Sequence, residues 1–542
     1  MRWVASVRAT HGPGSMAANV GRLGLVLVLS LGGVFSSIEA RAQTPTEDGV
    51  DTLRTWCSGC HTEERPGYFQ RISSIRKSPE GWLMTLVRMQ QAHGVDVPTD
   101  VRDSIMAHLS NSQGLAPSES AAARFALERR PNAQDLKLGD DLPTMCGRCH
   151  TLARVALQRR DATEWNRLVH THVGQYPTLE YQAGARERDW WEIATKELPE
   201  KLANQYGFES KDWQQWQSKT PADLSGTWVV AGRVPGEGGF FGTMKVARTD
   251  SMRYTADYKL VDTSGAARPE RQTKVRVYTG YEWRGSGTEG ARSLREVYAA
   301  SADGTKLEGR FFDATHIEIG GDLAAFRAEG PPAIVAVMPR ALKVGVTQTV
   351  VIVGRNLSGT PNFGPAARVK VIDRGTHFVR AAVTFDRNAT IGERPIRWGA
   401  AKADGMVVVY DRVDRISVSP SYGIARVGGG KVPPVSAQYE AIGYLERAGG
   451  APLSLGPIDV SWQVEPFNAD AVAADDVKFA GIMAPNGRFS PAPAGPNPNR
   501  KFSSNNAGDL AVKARLSQDG SVIEGSGRLV VTMQRWVNPP IY

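Results

Sequence analysis

The stretch Cys57-Ser58-Gly59-Cys60-His61 recurs later in the chain as Cys146-Gly147-Arg148-Cys149-His150, and the reading of these two pentads decides what the N-terminal third must be. In a CxxCH motif, two thiols add to the vinyl groups of a haem and the next histidine is held under the iron as its proximal ligand. A zinc knuckle would need further Cys or His ligands at fitting spacing, and a thioredoxin-like pair has no requirement for the histidine. The chain has 4 cysteines and both pentads together use all of them, which leaves none for a disulfide. The pentads therefore predict a c-type cytochrome with two covalent haems, attached at Cys57, Cys60, Cys146 and Cys149, with His61 and His150 as proximal ligands.

Around the pentads the pattern is helical, with expected helices over residues 79–91, 99–109, 118–128 and 162–172. Ser78-Pro79-Glu80 and Ser118-Glu119 read as helix starts, because a serine hydroxyl caps free amides and a glutamate suits the positive end of the helix dipole. The two modules also suggest sixth ligands. Trp82 and Trp165 are each followed seven residues later by a possible ligand, Met89 and His172, on the same helical face. Met84, Met106, His93 and His108 compete with Met89, and His170 competes with His172. His316 and His377 are far from both motifs and read as surface or hydrogen-bonded histidines. A Met-ligated haem has the higher potential, so electrons are expected to pass from the His150 haem to the His61 haem.

At 542 residues the chain is too long for one ordinary core. The apolar run at residues 23–35, followed by Ala40-Arg41-Ala42, reads as a signal peptide over residues 1–42, with Met1 or Met16 as the start. This run is shorter than a membrane span, so a soluble protein in a periplasm-like compartment is expected. The net charge of +9 comes from basic residues scattered among 56 acidic ones. No basic run with interleaved aromatics points to nucleic acid or a membrane surface.

The fold class expected is multidomain, with an α-helical dihaem cytochrome c domain over residues 43–222 followed by three mainly-β domains. A β-meander or barrel is expected over 223–330, with strands at 252–261 and 274–278 and a hairpin at Asp303-Gly304-Thr305, and Gly330-Pro331-Pro332 as a linker. An immunoglobulin-like sandwich follows over 331–415, with strands at 334–337, 349–354, 369–372, 382–385 and 406–410. A C-terminal β-sandwich spans 416–542, with strands at 460–464, 509–516 and 529–534 and a long loop at 484–506. The stretches Gly236 to Gly239 and Gly428 to Gly430 read as turns. No HExxH, GxSxG or dinucleotide fingerprint appears, so no catalytic residue is expected on this chain.

The order of these features resembles the α subunit of quinohaemoprotein amine dehydrogenase. The features are a leader, a domain with CSGCH and CGRCH, paired Trp-x6-ligand segments and then three β domains. The resemblance implies a periplasmic heterotrimer with a β-propeller subunit and a small subunit whose cysteine tryptophylquinone oxidises primary amines to aldehyde and ammonia. This chain would pass the electrons to a soluble acceptor, a small copper protein or cytochrome c. The competing functions are a dihaem peroxidase and a dihaem cytochrome that serves another dehydrogenase or whose β modules bind a surface or polysaccharide.

Overall fold

A computed structural model describes residues 49–125, 136, 138–139, 141–147, 150–175, 188–429, 432–501 and 504–533; the expected leader and Cys149 lie outside them. The first pentad closes α1 (Gly49–Cys57). After it come the short strand β1 (Ile75–Lys77), α2 (Pro79–His93) and α3 (Thr99–Ser112). Helix α2 starts as the sequence indicates: the Ser78 side chain accepts from the Gly81 amide, Pro79 sits in the first turn, and Gly94 at φ 68° ends the helix. Of the helix expected at 118–128, the described residues form only the short α4 (Pro117–Ser120) and turns over 121–125, and residues 126–128 lie outside them. Ser118 is not the cap of α4; its hydroxyl donates to Asp212 Oδ2 at 2.6 Å, and Glu119 Oε2 takes the Ala116 amide at 2.8 Å.

The second module follows with α5 (Asp141–Cys146), β2 (Gln158–Arg160) and α6 (Ala162–Gln175), and α7 (Lys211–Gln217) closes the region. Purely helical structure is the expectation here, but β1 and β2 pair antiparallel, with Arg76 opposite Arg159. The strands are only three residues long, so their alternation is too brief to register against the helices beside them.

Eight strands follow: β3 (Gly226–Val234), β4 (Gly238–Arg248), β5 (Arg253–Asp262), β6 (Arg271–Tyr278), β7 (Glu282–Glu289), β8 (Arg292–Ala300), β9 (Lys306–Asp313) and β10 (Gly320–Arg327). They form an up-and-down meander that closes into a barrel when β10 pairs with β3. Closure leaves no unpaired edge. Strand β6 alternates between buried and more open residues, and Trp228, Phe240, Tyr258, Trp283, Tyr298 and Phe311 fill the interior. Inside, Arg271 and Glu289 pair at 2.6 Å with both side chains fully buried.

The barrel meets the haem region through the β6–β7 turn, where Thr279 and Gly280 both have positive φ, 56° and 75°. Thr279 donates its amide to Asn111 Oδ1 at 2.6 Å and its hydroxyl to the Ser110 carbonyl at 2.9 Å, while Trp216 Nε1 donates to the Thr279 carbonyl at 2.8 Å. Gly114 is needed at this contact: a Cβ there would lie 2.2 Å from the Ser110 carbonyl and 2.8 Å from Thr279 Oγ1. Beside the turn, Arg284 pairs with Glu80 at the start of α2 and lies 3.5 Å from Glu282.

In the third domain a sheet of four strands and a sheet of three share a core that includes Val350, Phe363, Val379, Ile396 and Val407. The fourth domain places Val418, Tyr439, Leu445, Phe489, Val512 and Val531 in one core. The segment expected as a long loop at 484–506 contains a strand, Arg488–Pro491, paired on both sides. Buried Phe489 fixes it there, a packing constraint that its Gly/Pro/Asn-rich surroundings conceal. Among the described residues no helix is long and apolar enough to cross a membrane.

Glu282 is buried at the barrel contact, and burial pushes its carboxyl up to about 7. The folded chain holds that proton more tightly than the unfolded one, so this stabilisation is present below the ordinary carboxylate range and is lost as pH rises towards 7. Thermal unfolding from pH 5 to pH 8 should therefore cost the native chain more than Glu282→Gln, by a difference on the order of 3 kcal/mol.

Candidate haem sites

The first pentad is wound as one more turn on α1. The amides of Cys60 and His61 donate to the Cys57 carbonyl at 3.2 and 2.9 Å, which puts Cys57, Cys60 and His61 on one face at i, i+3 and i+4. His61 Nδ1 lies 2.9 Å from the Gln70 carbonyl. A carbonyl only accepts, so Nδ1 carries the proton and Nε2 presents its lone pair, the arrangement of a metal-ligating histidine. Burial, together with Cys60, raises the Cys57 thiol to about 11, and burial raises Cys146 to about 11. Among the described residues no three His, Cys, Asp or Glu side chains gather as a metal cluster.

The second site brings together residues far apart in sequence. The rings of His150 and His172 stand 6.4 Å apart between centroids, tilted by 40°. Two imidazoles each bonded to one metal at about 2 Å would have centroids roughly 6 Å apart, so this pair fits an iron between them. His172 Nδ1 lies 2.7 Å from the Leu168 carbonyl, which again puts the ring proton on Nδ1. Burial lowers the His172 pKa and keeps the ring neutral. Trp165 Nε1 and Thr151 Oγ1 are buried here without a hydrogen-bond partner among the described residues, and the carboxylates of a haem are suitable acceptors for both.

The competing ligands separate by position. His170 is exposed and stands edge-on to Trp191, with centroids 4.9 Å apart. Met106 is buried inside the first-module core, and Met84 packs on the second-module core. The His108 ring lies against Gly49, at the opposite end of α1 from the pentad. His93 is exposed at the end of α2, and Met89 is half-buried and belongs to neither core. Outside the region, His316 Nδ1 lies 3.4 Å from Glu318. His377 departs from expectation: it is half-buried, and its Nδ1 has no hydrogen-bond partner among the described residues.

The internal repeat is longer than its Trp-x6-ligand signature. Arg76, Lys77, Ser78 and Trp82 recur as Arg159, Arg160, Asp161 and Trp165 at the same spacing that separates Met89 from His172. Because Arg76 pairs with Arg159, the two modules meet at equivalent residues about a local two-fold. Glu119 bridges the two equivalent arginines. Arg76 donates to its two carboxylate oxygens at 2.9 Å each, and Arg159 Nε donates to Oε1 at 3.2 Å. All three side chains are nearly buried, at 2%, 7% and 8% exposure. Burial alone would raise the Glu119 carboxyl, but the two guanidiniums outweigh it and hold it below the ordinary value. Three separated residues joined only in space escape a reading by local motif, although the recurrence of Arg-(Lys/Arg)-(Ser/Asp) before each tryptophan is visible in the chain.

Four family descriptions match the chain in order. They are quinohemoprotein amine dehydrogenase A, alpha subunit, haem binding, over residues 47–213; alpha subunit domain II over 221–328; domain III over 331–411; and domain IV over 416–541. The chain belongs to the quinohemoprotein amine dehydrogenase alpha-subunit family. The pentads, the paired tryptophans and the Glu119 clasp thus fall in the family's haem-binding domain, and the closed barrel falls in domain II. As a subunit of an amine dehydrogenase, an oxidoreductase, this alpha subunit works with partner chains. A comparison with curated proteins finds no match. Among solved structures, a de novo designed fluorescence-activating β-barrel is 19% identical over 19% of this chain and 91% of its own, with a TM-score of 0.16. Mouse clustered PcdhgC3 EC1-3 is 10% identical over 44% and 77%, with a TM-score of 0.17. Domains 4-9 of the surface layer protein SbsC are 12% identical over 54% and 47%, with a TM-score of 0.16.

Removing Glu119 would strand two buried guanidiniums. Glu119→Ala should lower the stability of the haem region by about 3–5 kcal/mol in denaturant titrations, with the loss following the helical and haem signals rather than the β signal.

Proposed function

We propose that this chain is the dihaem electron-transfer subunit of a periplasmic amine dehydrogenase, taking electrons from a cysteine tryptophylquinone on a small partner subunit and delivering them to a soluble copper protein or cytochrome c. The observation that carries the reading is the match to all four parts of the alpha subunit in order along the chain. Primary-amine oxidation to aldehyde and ammonia belongs to the partner, and a β-propeller subunit completes the heterotrimer. The leader over residues 1–42 exports the chain, and the mature domains run over 43–222, 223–330, 331–415 and 416–542. The two-sheet arrangement of the third domain supports an immunoglobulin-like reading for it, and we extend the sandwich reading to the fourth.

Each haem supplies reversible one-electron chemistry at its iron. Cys57 and Cys60 would hold the first by thioether bonds, and Cys146 and Cys149 the second. His61 and Met89 would hold the iron of the first, His150 and His172 that of the second. The residues themselves orient and insulate. Hydrogen bonds to the Gln70 and Leu168 carbonyls set the tautomers of His61 and His172, and Trp82 and Trp165, each 2% exposed, wall the sites from water. The facing rings of His150 and His172 favour an electron-transfer role over a dihaem peroxidase, which needs an open or displaceable sixth position.

Isolation of the complex should yield a small quinone-bearing subunit together with this chain, and a primary amine should reduce its haems. A chain that purifies alone with haems indifferent to amine points instead to service for another dehydrogenase. In a potentiometric titration Met89→His should lower the higher of two potentials. If neither moves, Met89 is not the ligand.

A further inference from the structure

The β1–β2 ribbon has two faces, and only one is accounted for by the Glu119 clasp. Directly paired residues of an antiparallel ribbon share a face. Arg76 and Arg159 therefore point one way, while Lys77 and Arg160 point the other, towards α2 and α6. There the equivalence of the modules continues. Lys77 Nζ lies 5.2 Å over the Trp82 ring and Arg160 Cζ lies 5.9 Å over the Trp165 ring. Lys77 Nζ also donates to Thr85 Oγ1 on α2 at 2.7 Å.

Both cations are buried, with Lys77 at 6% exposure and Arg160 at 4%. The charge around them does not balance. Glu164 lies 3.6 Å from Arg160 but gives its other oxygen to Arg167 at 2.5 Å, and Asp161 is exposed at the cap of α6. Arg88 acts on both Lys77 and Arg160, Arg71 acts on Arg160, and Arg88, Arg160 and Arg154 all act on His172. Burial, reinforced by Arg160 and Arg88 and only partly offset by Glu164, disfavours the charged form of Lys77, so an added anion is what would keep it an ammonium. A buried excess of cations is expensive unless anions meet it, and this one lies between the helices that carry Met89 and His172.

We propose that Lys77 and Arg160 form an inter-haem seam that binds the propionate carboxylates of the haems. This rests on the dihaem reading above and extends it to the opposite edge of each macrocycle from its thioether bonds. The seam gives each module one cation placed on its own tryptophan, and the ribbon fixes the distance between the two. Its electrostatic consequence follows from sign. Positive charge beside a haem favours the ferrous state, which carries one positive charge fewer, so the seam raises the potentials of the haems it touches.

The test is redox potentiometry on the intact complex with Lys77→Met and Arg160→Met, against Lys77→Arg and Arg160→Lys as charge-preserving controls. Each Met variant should shift at least one midpoint potential downward at pH 7. Each should also make that potential rise more steeply as pH falls, because a propionate deprived of its cation titrates nearer neutrality. The controls should stay near the native values. Unchanged potentials and pH slopes in both Met variants, with native haem spectra, overturn the seam. Equal shifts in the charge-preserving variants also overturn it, because a packing defect would then be the cause. Should a Met variant fail to fold, Thr85→Val, which removes the anchor of Lys77 and keeps its charge, must alter the pH slope for the proposal to stand. Failure of the underlying reading is separate: haem counting on the native chain would then find fewer than two covalent haems.

Discussion

A carboxylate shared by two buried guanidiniums sits where the halves of the haem region meet, and most of what surrounds it follows from satisfying that group. Glu119 accepts from Arg76 on one strand of the ribbon, from Arg159 on the other, and from the amide of Ala116. The remaining guanidinium donors are used as well: Arg76 Nε reaches the Phe208 carbonyl at 2.8 Å and Arg159 Nη1 the Ala156 carbonyl at 2.7 Å. Trp213 and Tyr206 cover the two arginines at 5.3 and 5.2 Å. A buried ion cluster adds little net stability compared with apolar packing of the same volume. Its value lies in geometry, since it tolerates only one register between β1 and β2 and so holds α2 and α6 in one relation.

That relation is what the proposed electron transfer needs from the haem-binding domain. Met89 and His172 sit on α2 and α6, helices that both leave the ribbon immediately, after Ser78 and Asp161 caps. A shift of the ribbon by one residue would turn the cations of each face to the other side. The barrel then acts as a base. Its β6–β7 turn reaches into the haem region through Thr279 and Gly280 and binds the end of α3, while Arg284 grips the start of α2. Both helices behind the first module are thereby tied to a closed sheet that has no free edge along which to slide.

Much of this is legible in the amino-acid chain alone. The pentads imply attachment and proximal ligands because that chemistry depends on local spacing. Helices α2, α3 and α6 declare themselves through periodicity, α2 also through its Ser78 cap, and the barrel through alternation with regular turns. Residues 118–128 mislead because Ser118-Glu119 has the form of a helix start, yet Ser118 bonds Asp212 and Glu119 is drawn into the arginine clasp. Residues 484–506 mislead because a loop-like composition hides one buried aromatic, Phe489, whose packing pairs the segment as a strand.

The sequence by itself determined the two CxxCH pentads, the start of α2 and the order of a haem-binding region followed by three β domains. These are local properties, decided by residues a few positions apart. Only the tertiary structure decided where the several histidines and methionines of the haem region come to lie. It set His172 opposite His150, turned His170 out to Trp191 and placed Met106 in a core. It also decided that Arg76, Glu119 and Arg159 form one group and that Lys77 and Arg160 face the other way. Such choices turn on which side of a strand or helix meets which neighbour, and burial and hydrogen bonding between distant segments settle that only once the chain has folded.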